Sequence, residues 1–200
     1  MSNKQGKLII LSAPSGAGKT TICRNLLNVN KEWLYSISAT TRPMRENEID
    51  GKDYHFLSKE KFEHKEKFGE FIECEWVHGN RYGTPVQPLE DALENGDVLL
   101  LDIDVKGAMS LIDDFGEDCL SVFIEPPGIN IQEKLESLNE RLLNRGGSNE
   151  TLIKQRLKRF ELELSYKEKI KLVLPSSLSF INEDLKETTN EIDKKIKENL

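Results

Sequence analysis

The chain has 200 residues, 37% of them hydrophobic and 32% charged, with a formal net charge of −7. That length suffices for one domain with a real core and small inserted lobes. The acidic balance excludes a general nucleic-acid binder, which needs a basic face for the phosphate backbone, although a local pocket of arginines remains compatible with it.

The N-terminal residues MSNKQGKLIILSAPSG hold too few apolar positions for a signal peptide, and no later run is long enough to span a bilayer. A cytoplasmic chain with no membrane partner is expected. KLIILSA, Lys7 to Ala13, is a short continuous apolar run that ends at Pro and Gly, as a buried parallel strand does. KTTICRNLLNV follows, with Ile22, Leu26, Leu27 and Val29 on one helical face. Cys23, Cys74 and Cys119 are widely spaced and odd in number, so they form neither a disulfide framework nor a zinc motif, and buried free thiols are expected.

From Trp33 to Pro85 aromatics come singly among charges and glycines, which reads as a small lobe of short strands with one helix in EKFEHKEKF. Trp33 and Trp76 read as packing residues, and His78 as structural. His55 and His64 have no metal-ligand partners at plausible spacing. DALENGDVLLLDIDVKGAMSLIDDFG then reads helix, turn, strand, helix. SVFIEPP is a third apolar run, closed by prolines that cannot continue a ladder. Residues 129–171 are helical and highly charged, broken at Gly146 and Gly147. KLVLPSSLSFI holds a last strand, and LKETTNEIDKKIKENL is an amphipathic helix. Apolar strands alternating with helices predict an α/β fold with a doubly wound parallel sheet and two inserts, near 33–85 and 126–155.

APSGAGKT, Ala13 to Thr20, is a phosphate-binding loop with alanine in its first position. Glycines let consecutive backbone N–H groups wrap a phosphate at a helix N-terminus. Lys19 would reach the outer phosphates and the Thr20 hydroxyl would hold Mg²⁺. The relaxed pattern arises by chance in roughly one or two chains of this length in a hundred, but here it sits between a predicted strand and a predicted helix. VLLLD ends in Asp102, a carboxylate at a strand end near the metal. Asp104 lies two residues on, so a continuing strand would point both acids to one face.

SATTRPMR demands a second anion. Arg42 and Arg45 offer forked donors for a terminal phosphate, Ser38 adds a hydroxyl, and Tyr54 and Tyr82 add phenols. The alternative is a pair of surface arginines bound to Glu46 and Glu48. A second phosphate site beside a phosphate loop points to a monophosphate as second substrate.

The phrases SAPSGAGKTT, SATTRPMRENEIDGKDYHF, GEFIECEWVHGNRYGT, DVLLLDIDVKGA, SVFIEPP and NRGG follow one another in the order and approximate spacing of guanylate kinases, which the chain resembles over nearly its whole length. The resemblance implies the fold of the P-loop nucleoside monophosphate kinases. The core would take residues 1–32, 86–125 and 156–200, a GMP-binding lobe 33–85, and a helical lid 126–155. It implies transfer of the γ-phosphoryl of ATP to GMP, and to dGMP, with Mg²⁺ as cofactor, in purine metabolism. ATP would meet Ala13, Pro14, Ser15, Gly16, Ala17, Gly18, Lys19, Thr20 and Thr21, with Asn182 near adenine, and Thr20 and Asp102 would position the metal. Arg42, Arg45, Tyr54 and Tyr82 would hold the GMP phosphate, while Glu73 and Asp104 face guanine and Ser38, Gly83 and Thr84 complete the pocket. Lys19, Arg42 and the lid arginines Arg145 and Arg156 would serve the transferring phosphoryl group, assisted by Arg141.

Guanine offers a ring N–H and an exocyclic amine to carboxylates and a carbonyl to hydroxyls, so such a pocket would leave AMP unsatisfied. The segment from Pro126 to the lid arginine and the segment before Asn182 are longer than the family's usual runs, which bears on the alignment of Arg141 and Asn182. Two rival readings are a kinase with another acceptor, such as a ribose bisphosphate, and a non-catalytic guanylate-kinase-like module that binds peptides.

Overall fold

The computed structural model describes residues 6–77, 79–144 and 150–200. The chain divides into two compact units, Met1–Leu8 with Trp33–Leu101 and Ile9–Glu32 with Asp102–Leu200. The elements run β1 (Lys7–Ser12), α1 (Lys19–Val29), β2 (Leu34–Tyr35), β3 (Ala39–Thr40), β4 (His55–Phe56), α2 (Lys59–Lys67), β5 (Phe71–Val77) and β6 (Asn80–Pro85). They continue as α3 (Gln87–Asn95), β7 (Val98–Asp102), α4 (Val105–Phe115), β8 (Cys119–Glu125), α5 (Ile131–Asn144), α6 (Glu150–Val173), β9 (Leu178–Ile181) and α7 (Leu185–Lys197). In the first unit β2 is parallel to β7, and in the second β8 is parallel to β9. The expected parallel α/β architecture is what the chain adopts.

In the first unit, Ser58 caps α2 by accepting from the Lys61 N–H, and Gly96 ends α3 in the left-handed conformation at φ 74°. A four-stranded sheet runs β4-β3-β6-β5; β6 is antiparallel to both β3 and β5, and β3 is parallel to β4. Phe62 of α2 is fully buried and stacks on Phe71 of β5 with ring centroids 4.6 Å apart. Gly83 of β6 makes room for them, since a Cβ there would lie 3.0 Å from both rings. Phe62→Ala opens a cavity under this sheet and is expected to lower stability by about 3–5 kcal/mol, read as a lower denaturant midpoint.

In the second unit the apolar run Ile9–Leu11 is inaccessible and every residue of β8 is buried, as strands covered on both faces require. The amphipathic C-terminal segment forms α7, capped by Asp184 through the Lys186 and Glu187 N–H groups, and it buries Thr188, Thr189, Ile192 and Ile196. Helix α5 buries Leu138 and Leu142, and α6 buries Phe160, Glu163 and Ile170.

Four expectations need correction. In α1 the buried residues are Ile22, Cys23 and Leu26, whereas Val29 at the helix end is exposed. The residues Lys171–Val173 close α6 instead of opening the last strand, which starts only at Leu178 beyond Pro175. Trp76 is 64% exposed and carries the Arg81 guanidinium 5.0 Å over its ring, so it is not a core residue. Cys74 is half-buried rather than buried. His78 lies outside the described residues.

Candidate functional site

The phosphate loop links β1 to α1 inside the second unit. Gly16 and Gly18 adopt φ near 101° and 102°, a conformation that side-chain-bearing residues rarely reach. Ala17 donates its N–H to the Pro14 carbonyl at 3.0 Å. Ala13, Pro14 and Ala17 are buried, Gly16, Gly18 and Lys19 are half-buried, and Ser15, Thr20 and Thr21 are exposed. No acidic residue occupies the first turn of α1, so the positive end of the helix dipole is uncompensated there. Alanine at position 13 fits a tightly packed site, being only 8% exposed.

Lys19 extends its ammonium to Asp102, 2.6 Å away, and to the Ile103 carbonyl at 2.8 Å. The Thr20 hydroxyl donates to the other Asp102 oxygen at 3.3 Å. Among the described residues no group of three or more His, Cys, Asp or Glu is placed to hold a metal ion. One hydroxyl and one carboxylate are nevertheless the donor set that suits Mg²⁺, which takes one or two protein oxygens and fills its shell with phosphate oxygens and water. Thr20 and Asp102 therefore fit the expected ion.

Asp104 does not extend the strand. β7 stops at Asp102, and Asp104 is the N-cap of α4, its Oδ1 accepting from the Lys106 and Gly107 N–H groups at 3.0 Å each. The expectation of two acids on one strand face is thus overturned, because an aspartate before a helix satisfies orphan N–H groups that a strand residue would not meet. Its Oδ2 accepts from Arg159 of α6 at 2.7 Å. Arg159 also donates to Glu163 at 3.2 Å, and burial pushes the Glu163 carboxyl up to about 7 despite that arginine. Asn182 is 3% exposed and donates its side-chain N–H to the Ala17 carbonyl at 2.7 Å. Arg141 of α5 donates to the Asn182 carbonyl at 2.9 Å.

The arginine-tyrosine set lies in the first unit. Arg42, in the loop after β3, grips Glu48 with both terminal nitrogens, Nη1 to Oε2 at 2.9 Å and Nη2 to Oε1 at 2.7 Å. Its Nε donates to the Tyr82 hydroxyl at 3.2 Å, and its guanidinium lies 5.5 Å from the ring centres of Tyr54 and Phe56. The hydrogen bond from Arg42 holds the Glu48 carboxyl down at about 2. Of the two acids weighed as partners, Glu48 is the one that takes this fork, and the pair is half-buried instead of loose on the surface. Arg45 is exposed and donates its backbone N–H to Glu48 at 2.8 Å.

Tyr54 and Tyr82 meet edge to face with centroids 5.8 Å apart. On the neighbouring strands Thr84, 3% exposed, donates to Glu73 at 2.7 Å across the β5–β6 pair. Gly83, beside Thr84 on β6, is buried, and Ser38 is half-buried before β3. Lid residue Arg145 lies outside the described residues, and at Arg156 only the backbone of α6 is described.

Sequence reasoning missed Glu125, Arg159 and Glu163. Glu125 ends β8 with 5% exposure, and three donors converge on it: Lys134 of α5 at 2.5 Å, Lys167 of α6 at 2.9 Å and Ser179 of β9 at 2.6 Å. An acid inside the apolar run SVFIE was the signal for it. Arg159 and Glu163 carried no local signal, since the Arg159–Asp104 contact joins residues 55 positions apart.

The guanylate kinase family profile matches residues 5–199. The chain is similar to a guanylate kinase of Chlorobium luteolum, 47% identical over 84% of this chain and 83% of that one. It is similar to another of Chlorobaculum tepidum, 42% identical over 97% and 93%. The crystal structure of guanylate kinase from Anaplasma phagocytophilum superposes with a TM-score of 0.75 at 33% identity, covering 100% of this chain and 89% of that one.

Proposed function

We propose, from the premise that the chain belongs to the guanylate kinase family, that it transfers the γ-phosphoryl group of ATP to GMP, giving ADP and GDP. The observation that carries the acceptor assignment is the Arg42 fork, which already binds two oxygens of one carboxylate beside the Tyr82 hydroxyl. A phosphate presents the same oxygen spacing with more charge, so it can take the place that Glu48 holds.

In the donor half the loop N–H groups and Lys19 receive the ATP phosphates. Lys19 exchanges the Asp102 carboxylate and the Ile103 carbonyl for phosphate oxygens. Thr20 and Asp102 would hold Mg²⁺. The bound ion supplies neutralisation of the charge shared by the β- and γ-phosphate oxygens. In the acceptor half Arg42, Arg45, Tyr54 and Tyr82 orient the GMP phosphate, and Ser38, Glu73, Gly83 and Thr84 line the base pocket. Glu73 is a carboxylate acceptor for the guanine N–H groups, kept in position by the Thr84 hydroxyl. Arg145 and Arg156 are assigned, on the resemblance, to the charge that develops on the transferring group. Chemistry then needs little more than alignment and placed charge.

We place the enzyme in the cytoplasm, in purine nucleotide metabolism. Its free cysteines suit a reducing compartment, and no helix of the described residues is long and apolar enough to cross a membrane.

A coupled ADP-release assay with ATP and Mg²⁺ tests the reading, offering GMP, dGMP, AMP, UMP and ribose bisphosphate separately. GMP is expected to be turned over at least roughly 10³-fold more efficiently than AMP, because AMP leaves the pocket's polar groups unpaired. Preferential release with AMP, UMP or ribose bisphosphate would overturn the guanine assignment, and silence with all five would overturn the kinase reading.

A further inference from the structure

We propose that Asn182 is a positioning residue for the phosphate loop, setting the direction of the Gly18 N–H, in addition to any contact with adenine that the family resemblance implies. The proposal rests on the loop holding the ATP phosphates. Gly16 and Gly18 both sit in the left-handed region and flank Ala17. Glycine is the residue with the most freedom to leave such a conformation. The two peptide planes on either side of Ala17 are therefore the ones most in need of a fixed orientation.

Both backbone groups of Ala17 are tied. Its N–H is held by Pro14, and its carbonyl accepts the Asn182 side-chain N–H at 2.7 Å. In a trans peptide the C=O and the following N–H point in opposite directions, and the described chain has no cis peptide. Drawing the Ala17 carbonyl toward Asn182 therefore turns the Gly18 N–H away from it, out of the protein side of the loop. A flipped plane would present a carbonyl oxygen to an incoming phosphate instead of a donor.

Asn182 is itself held through both of its backbone groups. Its backbone N–H donates to the Glu125 carbonyl at 2.9 Å, and its own carbonyl accepts from Arg141 at 2.9 Å. A Cβ on Gly18 would lie 2.5 Å from the Asn182 amide nitrogen, so the contact also accounts for glycine at position 18. At Gly16 a Cβ would reach Leu138 and Leu142 of α5 at 3.4 Å, an ordinary packing distance, so α5 lies against the loop there without excluding a side chain. Arg141 thus acts through Asn182 and, with the two leucines, makes α5 the buttress of the loop.

The test uses inorganic tripolyphosphate, a probe with phosphates and no adenine. Its binding to the full chain is measured by calorimetry beside ATP for the unaltered protein and Asn182→Leu, which keeps the volume and loses the donor. Tripolyphosphate and ATP are expected to weaken by the same factor, roughly 10- to 100-fold for a lost buried hydrogen bond, with KM for GMP unchanged. In the unaltered chain the Gly18 amide resonance should shift on tripolyphosphate binding, and that shift should shrink in the variant. If Asn182→Leu fails to fold, Asn182→Ser is used with the same readouts. Loss of ATP affinity with tripolyphosphate affinity retained would make Asn182 an adenine contact alone and overturn the proposal. No tripolyphosphate binding by the unaltered chain would overturn the donor reading and the proposal together.

Discussion

Lys19→Ala is expected to lower kcat by roughly 10³-fold, in the range that follows removal of a single charge-stabilising donor from a preorganised site. Lys19 is the ammonium proposed to meet the ATP phosphates, and its contacts, Asp102 at 2.6 Å and the Ile103 carbonyl at 2.8 Å, show how far the side chain reaches. Both partners sit at the end of β7, where an arriving phosphate dianion competes with one carboxylate and one carbonyl for the same cation. The variant should remain folded, since Lys19 is half-buried and Asp102 keeps the Thr20 hydroxyl as donor. Steady-state ADP release, set beside a thermal denaturation curve of the same sample, checks both halves of the expectation. A folded variant with ordinary turnover would remove the assignment of the loop.

Glu125→Ala is expected to lower stability by about 3–5 kcal/mol, because it leaves two lysines facing a site that has lost its carboxylate. For a chain of this size the melting temperature should fall by about 6–20 °C. The residue joins the end of β8 to α5, α6 and β9 through Lys134, Lys167 and Ser179.

Burial alone would push the Glu125 carboxyl up, but the three donors outweigh it and hold it down at about 2, against 4.5 for the free group. A depressed carboxyl binds its proton more weakly in the folded chain than in the unfolded one. Its contribution is fully present above pH about 4.5 and is lost as pH falls toward 2. Melting curves from pH 6 down to 2.5 should show this acid loss in the unaltered protein and a flatter profile in Glu125→Gln. Equal acid sensitivity of the two would remove Glu125 from the account.

The fold was legible where one cause acts alone. The apolar runs at 8–11 and 98–101, and the run SVFIEPP at its Val122–Ile124 stretch, became buried strands, since a strand covered on both faces hides consecutive apolar side chains. The glycines of the phosphate loop marked its turn because side-chain-bearing residues avoid that backbone. Legibility failed where two local demands compete. Asp104 follows a strand and precedes a helix, and capping prevailed over extension. Lys171–Val173 has the texture of a strand but follows 21 helical residues, and a helix already under way extends at one hydrogen bond per residue. Arg42 was read as a donor to a phosphate, with Glu46 and Glu48 as rival partners; that Glu48 takes the fork depends on how the loop after β3 closes, which no spacing records.

Glu48 behaves as a tethered counter-ion. It already neutralises Arg42, so on the proposed reading of Arg42 as the acceptor's phosphate seat, the seat would not present a bare guanidinium to every anion in solution. A dianionic phosphate monoester can outcompete one carboxylate for the fork, whereas chloride or a simple carboxylate gains little by the exchange. The affinity for the proposed acceptor would then be a difference between two ion pairs, and because salt weakens both, ionic strength should cost this seat less affinity than it would cost an exposed arginine with no such partner.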